Sequence, residues 1–214
     1  MLRRSLVFLA AVSAAAAVAS PALGITVFIR VEGVATTIFG ANEPVVEPFV
    51  GTLVGDDGTP VTLDEPTPLG ALEAASREAE FYYRLKSLSF GPFVDRIGRH
   101  PSAGSSGWVY KVNGVSPPVG AAARRLKEGD RVLWYFARFG PKGGPATLEI
   151  ALSKGCLVAQ GADDNGKRSR VRDVVFHLDS GAVRSRSGRV CPLRWNLARV
   201  TKHGLVPSAL LAAG

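Results

Sequence analysis

Between Gly104 and Ala137 apolar and polar positions alternate at period two, once on each side of a turn. Trp108, Tyr110 and Val112 fall on one face of a predicted strand and Val109 and Lys111 on the other. The charge of Lys111 argues that its face meets water. Asn113-Gly114 follows, the pair that most readily takes positive φ at both central positions of a tight hairpin. Pro117-Pro118 and Gly120 carry the chain outward, and Lys127-Glu128-Gly129-Asp130 turns it back into a second strand, Arg131 to Phe136. Upstream, Ile25 to Glu32 alternates as a strand. Val34 to Pro60 is a long stretch containing prolines and glycines, with a turn at Asp56-Asp57-Gly58. A helix is predicted over Leu69 to Glu80, where Leu69, Leu72, Ala75 and Ala79 recur at helical spacing behind Thr67 as N-cap and Pro68 in the first turn. Phe81 to Leu88 reads as a further strand, in which the adjacent Tyr82 and Tyr83 point to opposite faces, one inward and one exposed.

Two prolines and three glycines interrupt this pattern between Phe139 and Ala146. Beyond them only strands and turns are predicted: Thr147 to Leu152, Cys156 to Gln160, Val171 to Leu178 and Ser187 to Cys191. Asp163-Asp164-Asn165-Gly166 and Ser180-Gly181 separate them, a spacing that suggests a small sandwich, short for seven strands. Leu210 to Gly214 reads as a tail. The expected organisation is a leader at 1–24, a mixed α+β unit at 25–139, a linker at 140–146 and an all-β unit at 147–214.

The leader rests on Arg3-Arg4, an uncharged apolar run from Leu6 to Ala19, and small residues at Ala17-Val18-Ala19 and Ala22-Leu23-Gly24 that fit cleavage sites. It predicts export to the cell envelope or beyond, by the general secretory or the twin-arginine route. Membrane attachment is expected only if this segment is retained. Without Arg3 and Arg4 the formal charge falls from +8 to +6. The excess sits late in the chain, where eight arginines from Arg168 to Arg199, with Lys154, Lys167 and Lys202, outweigh Asp163, Asp164, Asp173 and Asp179. Such a unit could meet anionic wall polymer or lipid head groups, or simply be a soluble basic surface. Nucleic acid is not expected in that compartment. The two cysteines, Cys156 and Cys191, are expected to form a disulfide in an oxidising compartment.

Reaction chemistry is hard to find. His100 has no acid at a telling spacing, and Glu73, Glu78 and Glu80 belong to the exposed face of the predicted helix. Asp163-Asp164-Asn165-Gly166 lacks the alternation and closing glutamate of a calcium loop and reads as a turn. There is no phosphate loop, nucleophile elbow or metal-binding helix motif. No catalytic residues, no metal and no enzyme activity are expected. Trp108, Tyr110 and Trp134 serve most simply as core, and Asn113-Gly114 as a turn.

Several of these stretches together resemble the transcobalamin-like C-terminal domain, a family of bacterial exported modules. The matching parts are Ile25–Glu32, the helix start at Thr67 with Leu69 to Ala75, and Phe81-Tyr82-Tyr83. The most specific are Gly107 to Gly114 and Leu126 to Tyr135. The resemblance implies an α+β unit, one helix on a mixed sheet, similar to a β-grasp or ubiquitin-like arrangement. In transcobalamins the corresponding domain covers one face of a corrin ring while a helical barrel supplies the other side, and this sequence has no such barrel. A lone lid would enclose little of so large a ligand, so cobalamin is not expected as a cofactor of this chain alone. The tail resembles immunoglobulin-like or carboxypeptidase-regulatory-like modules through its Asp-Asp-Asn-Gly turn and Gly204 to Ser208.

The resulting expectation is an exported, non-catalytic binding or adhesion module whose partners are a small molecule, a cell-wall polymer or other envelope proteins. Its candidate ligand-binding residues are Tyr82, Tyr83, Phe90, Trp108, Tyr110, Asn113 and Trp134. The alternatives are a carrier subunit for a corrinoid or other small ligand, and a structural spacer of the cell surface.

Overall fold

The computed structural model describes residues 24–141 and 143–213. The leader expected over 1–24 lies, apart from Gly24, outside the described residues. Among the described residues strand predominates, with a single helix. Its first half contains β1 (Val27–Glu32), β2 (Thr37–Phe39), β3 (Val45–Val46), β4 (Gly51–Val54) and β5 (Pro60–Leu63). Then come α1 (Pro68–Ala79), β6 (Tyr83–Leu88), β7 (Gly91–Ile97), β8 (His100–Pro101), β9 (Ser106–Val112) and β10 (Arg131–Arg138). The stretch from Val34 to Pro60, unpatterned to the eye, thus holds β2, β3 and β4 and opens β5. These strands are two to four residues long, too short to show a period.

The main sheet runs β2-β1-β10-β9, with β3 also on β1; β1 and β10 are parallel and β10 and β9 antiparallel. α1 covers one face. Thr67 caps it as expected, its Oγ1 accepting the Gly70 N–H at 3.1 Å. Gly70 lets the Phe49 backbone approach so closely that a Cβ there would sit 2.3 Å from the Phe49 carbonyl oxygen, and the Gly70 carbonyl accepts the Phe49 N–H at 3.0 Å. Leu69, Leu72 and Ala75 of α1 share one buried cluster with Val27, Ile29, Val31, Trp108, Val132 and Trp134. Alternation along β1, β9 and β10 sends the intervening residues to the opposite face.

That opposite face does not meet water, as Lys111 had suggested. The second half of the chain covers it. Its strands are β11 (Thr147–Ser153), β12 (Cys156–Ala162), β13 (Arg168–Arg170), β14 (Val174–Leu178), β15 (Gly181–Ser185), β16 (Arg189–Val190), β17 (Leu197–Thr201) and β18 (Leu211–Ala212). They form two antiparallel sheets, β11-β12-β13 with β16 on β12, and β15-β14-β17-β18. Leu148, Leu157, Ala159, Val174, Phe176, Ala198 and Val200 form the cluster shared by the two sheets. Eight strands among the described residues stand where four are read from the sequence; β13, β15, β17 and β18 escape that reading, β13 and β15 being exposed edge strands and β18 only two residues long. Residues 210–213 are no loose tail: the Leu210 N–H donates to the Ala41 carbonyl at 2.7 Å and β18 pairs with β17. Cys156 and Cys191 are joined as expected.

Where the halves meet, Val109, Leu133, Tyr135 and Ala137 pack with Val206. Lys111 is completely buried; its Nζ donates to the Asp163 carbonyl at 2.7 Å, the Ala162 carbonyl at 3.2 Å and Thr147 Oγ1 at 3.3 Å. A second polar cluster lies on β1, where buried Glu32 is held by Arg30 at 2.8 Å and by Arg199 of β17 at 2.7 Å. Arg30 also donates to the Pro207 carbonyl at 2.6 Å. A charge pattern that reads as a solvent face is therefore a polar interface of paired charges, which is how buried charges are tolerated; the buried Arg30 Nε has no hydrogen-bond partner and only the Glu43 carboxylate 3.5 Å away. No helix among the described residues is long and apolar enough to cross a membrane.

Candidate functional site

Trp134 pairs with Tyr110 and Phe136 with Trp108 across β10 and β9, so four aromatic rings lie side by side on the α1 face. Trp108 and Phe136 meet edge to face at 5.5 Å, and Tyr110 and Trp134 lie 5.4 Å apart. Both indole N–H groups are used internally: Trp108 Nε1 donates to the His100 carbonyl at 2.7 Å and Trp134 Nε1 to the Pro68 carbonyl at 3.0 Å. Trp108 is 3% exposed. The two tryptophans are core anchors that present only part of a ring outward.

What they border is a groove of about 600 Å³. β9 is the outer strand of its sheet, so side chains of both its faces, Trp108 and Tyr110 on one and Val109 on the other, reach the groove. Pro92, Phe93 and Val94 of β7 form another wall and Ser116 to Ala121 a third. The loop is pinned at both ends: Tyr110 Oη donates to the Val119 carbonyl at 2.7 Å, and the Ser116 N–H donates to the Asp164 carbonyl at 2.8 Å. Burial pushes the Tyr110 hydroxyl up to about 12, so it stays a neutral donor. Phe90 and Phe139 stand at the rim. Phe90 is 75% exposed and touches Phe93 edge to face at 6.3 Å. An exposed phenylalanine forgoes about 1.5–3 kcal/mol that burial would return.

The one charged side chain in the lining, Asp164, lies 3.8 Å from Lys111 Nζ, and its Oδ1 accepts from Ser116 Oγ at 3.2 Å. Burial lowers the Lys111 pKa, against the attraction of Asp164, Asp163 and Glu149. The neighbouring Asp163 carboxylate accepts the N–H groups of Asn165 and Lys167, each at 2.9 Å, as a turn requires. Among the described residues no three His, Cys, Asp or Glu side chains gather as a metal site. The arrangement can hold an apolar or flat ring by stacking and edge contact.

Of the seven candidate residues, the structure brings Phe90, Trp108, Tyr110 and Trp134 together in this groove. Tyr82 and Tyr83 border a different, open hollow with Glu73, Arg77 and Arg84. Tyr83 donates to Glu73 at 2.7 Å, and burial, with Glu73 beside it, holds its hydroxyl well above the ordinary tyrosine value. Tyr82 is the exposed one of the pair and accepts from Arg96 at 2.9 Å. Asn113 lies in a third cleft with Arg30, Glu43 and Arg131. Its own φ is 52° and that of Gly114 is 82°; its amide donates to Asp130 at 2.8 Å and its Oδ1 accepts the Arg131 N–H at 2.9 Å. That side chain is spent on the turn. Sequence reasoning missed Phe93, Pro117, Pro118, Phe139 and Asp164; the Pro-Pro pair straight after a hairpin was the available signal.

Residues 67–138 match one family model, described as a domain of unknown function (DUF4430). The match runs from the N-cap of α1 to the end of β10. It includes most of the groove and stops short of Phe139 and Asp164. No curated protein matches the chain.

Proposed function

We propose that the protein is an exported, non-catalytic binding module of the cell envelope whose first half is a transcobalamin-like, β-grasp unit and whose second half is a β-sandwich. The sheet order β2-β1-β10-β9, with its first and last strands parallel at the centre and one helix across a face, supports the β-grasp reading. Two antiparallel sheets sharing one cluster support the sandwich. The leader pattern and the disulfide support export.

The observation that carries the binding role is the aromatic groove with an exposed Phe90. Phe90, Val119 and Phe139 together leave an exposed apolar rim around the groove, and a contiguous apolar patch, unlike a lone exposed ring, supports a binding surface over a spacer. The ligand class that fits is a small, flat or apolar ring system, a corrinoid or other tetrapyrrole among them. The groove covers one side of such a ligand, and a partner protein would cover the other.

Tryptophan fluorescence titration tests this reading. Corrinoids, tetrapyrroles and wall glycans are added to the chain from Ile25, and the variants Phe90→Ala and Phe139→Ala are compared. Saturable quenching that weakens at least tenfold in the variants supports the groove. No response across the panel, or quenching equal in the variants, favours the spacer.

A further inference from the structure

Strand direction gathers three connections at one end of the second half. β11 starts at Thr147, beside Lys111, and ends at Ser153, six residues and about 20 Å further along extended chain. Lys154 and Gly155, with φ of 50° and 71°, turn it back into β12. β16 leaves the sheet at this same end. Leu157 stands opposite Leu152 on one side and Val190 on the other, and the disulfide joins the next pair out, Cys156 and Cys191. Residues 192–196 then cross to the second sheet, where β17 begins beside the β14–β15 turn. Asn196 anchors the crossing there: its backbone and side-chain N–H groups donate to Asp179 at 3.0 and 2.9 Å, and its carbonyl accepts the Ala213 N–H at 2.8 Å.

The side chains at this end are of two kinds. Leu193 is fully exposed and Leu152 is 62% exposed. Trp195 is half-buried, packed in part on the core cluster of this half. Lys154 and Arg194 are exposed, and among the described residues neither has a carboxylate within ion-pair distance. Arg189 ties hairpin to crossover, its guanidinium donating to the Ser153 carbonyl at 3.4 Å and to Cys156 Sγ at 2.9 Å. Residues 150–156 and 189–198 contain no Asp or Glu. The nearby acid, Asp179, is spent on Asn196.

We propose that this end docks the protein on an anionic lipid surface, with Leu193 and Leu152 entering the acyl boundary and Lys154 and Arg194 meeting lipid phosphates. One exposed leucine carries no message. Two on neighbouring connections, with a tryptophan whose ring is partly wet and unpaired cations beside them, match the layers of a bilayer interface: apolar groups deepest, the indole at head-group level and the cations outermost. A soluble polyanion would use the cations but leave the leucines in water. The groove lies past the other end of β12, where Asp164 follows Ala162, so docking leaves it open.

The test adds equimolar phosphatidylcholine–phosphatidylglycerol vesicles to the chain from Ile25 and reads co-sedimentation together with tryptophan emission. Trp108 and Trp134 are 3% and 2% exposed, so a blue shift on binding belongs to Trp195, and Trp195→Phe should remove it. Leu152→Ser/Leu193→Ser, which changes no charge, should weaken sedimentation at least tenfold. Leu193→Ser alone, at a side chain with no packing to lose, should weaken it at least threefold. Lys154→Ala/Arg194→Ala should weaken it at least tenfold, and so should pure phosphatidylcholine vesicles with the parent chain. Val34→Ser/Val54→Ser, which removes exposed apolar groups of the first half, should leave it unchanged. Urea midpoints confirm that each variant is folded. No sedimentation of the parent chain, full binding by the leucine variants, or loss with Phe90→Ala in their place would overturn the proposal.

Discussion

Lys111 offers the sharpest test of how the two halves fit, because a lysine facing water and a lysine sealed in an interface respond differently to the same change. Lys111→Met keeps most of the apolar stem and removes the donor. Thr147 Oγ1 can still donate to the Ala162 carbonyl, 3.4 Å away, and the Asp163 carbonyl keeps the Gly166 N–H at 3.1 Å, but both lose the hydrogen bond from the ammonium. A hydrogen bond from a charged donor contributes about 1.5–3 kcal/mol. Relief from burying an ammonium offsets part of that, so the loss should fall toward the lower end. Lys111→Ala also deletes three buried methylenes, worth about 0.8 kcal/mol each, and opens a cavity. It should therefore cost about 2–3 kcal/mol more than Lys111→Met.

The sign of the pH effect follows from burial, which lowers the folded pKa of Lys111 below its ordinary value. The unfolded chain then binds the proton more tightly, and the burial penalty is complete below the lowered folded pKa. It eases as pH rises from the lowered folded value toward the ordinary one, 10.5. The gap between the parent chain and Lys111→Met should widen over that window. Urea melts at several pH values measure both quantities. If Lys111→Ala changes stability by less than about 0.5 kcal/mol, as exposed substitutions do, the second half does not cover this face.

Three further outcomes are expected. Trp108→Ala should cost about 3–5 kcal/mol in a denaturant melt, since it empties a core site and removes the indole hydrogen bond to the His100 carbonyl; a loss below 1 kcal/mol would make the ring a surface feature. Removing the Cys156–Cys191 crosslink by Cys156→Ala/Cys191→Ala opens a loop of 35 residues and should destabilise by about 4 kcal/mol, read as a lower urea midpoint. Tyr110, pushed up to about 12 from its ordinary 10.0, stabilises the fold fully below pH 10 and loses that contribution as pH rises through 12. Tyr110→Phe should flatten this alkaline fall, measured by thermal melts.

Much of the first half was legible in the sequence because its signals are local. Thr67 before Pro68 marks a helix start whatever lies around it, and Asn113-Gly114 marks a turn for conformational reasons alone. The alternation of Trp108, Tyr110 and Val112 named the core face correctly. It failed on the reverse face, because Lys111, Arg30 and Glu32 carry charge for an interface and not for water. Their partners, Asp163, Ala162, Arg199 and Pro207, lie 50 or more residues away, and no local pattern announces them. The groove was half legible for the same reason: Trp108, Tyr110 and Trp134 share one ladder, whereas Phe93, Phe139 and Pro117 join them only through folding. Tyr82, Tyr83 and Asn113 had suitable chemistry but are placed at other surfaces.

The most direct test of the binding role is a map of backbone and indole N–H resonances of the chain from Ile25, recorded with each ligand of the corrinoid, tetrapyrrole and glycan panel. At least one flat ring ligand should shift residues 90–94, 108–110 and 116–121 together, with saturation, and leave residues 73–84 unmoved. Shifts confined to 73–84 or to the Asn113 cleft, or none with any ligand, would contradict the account.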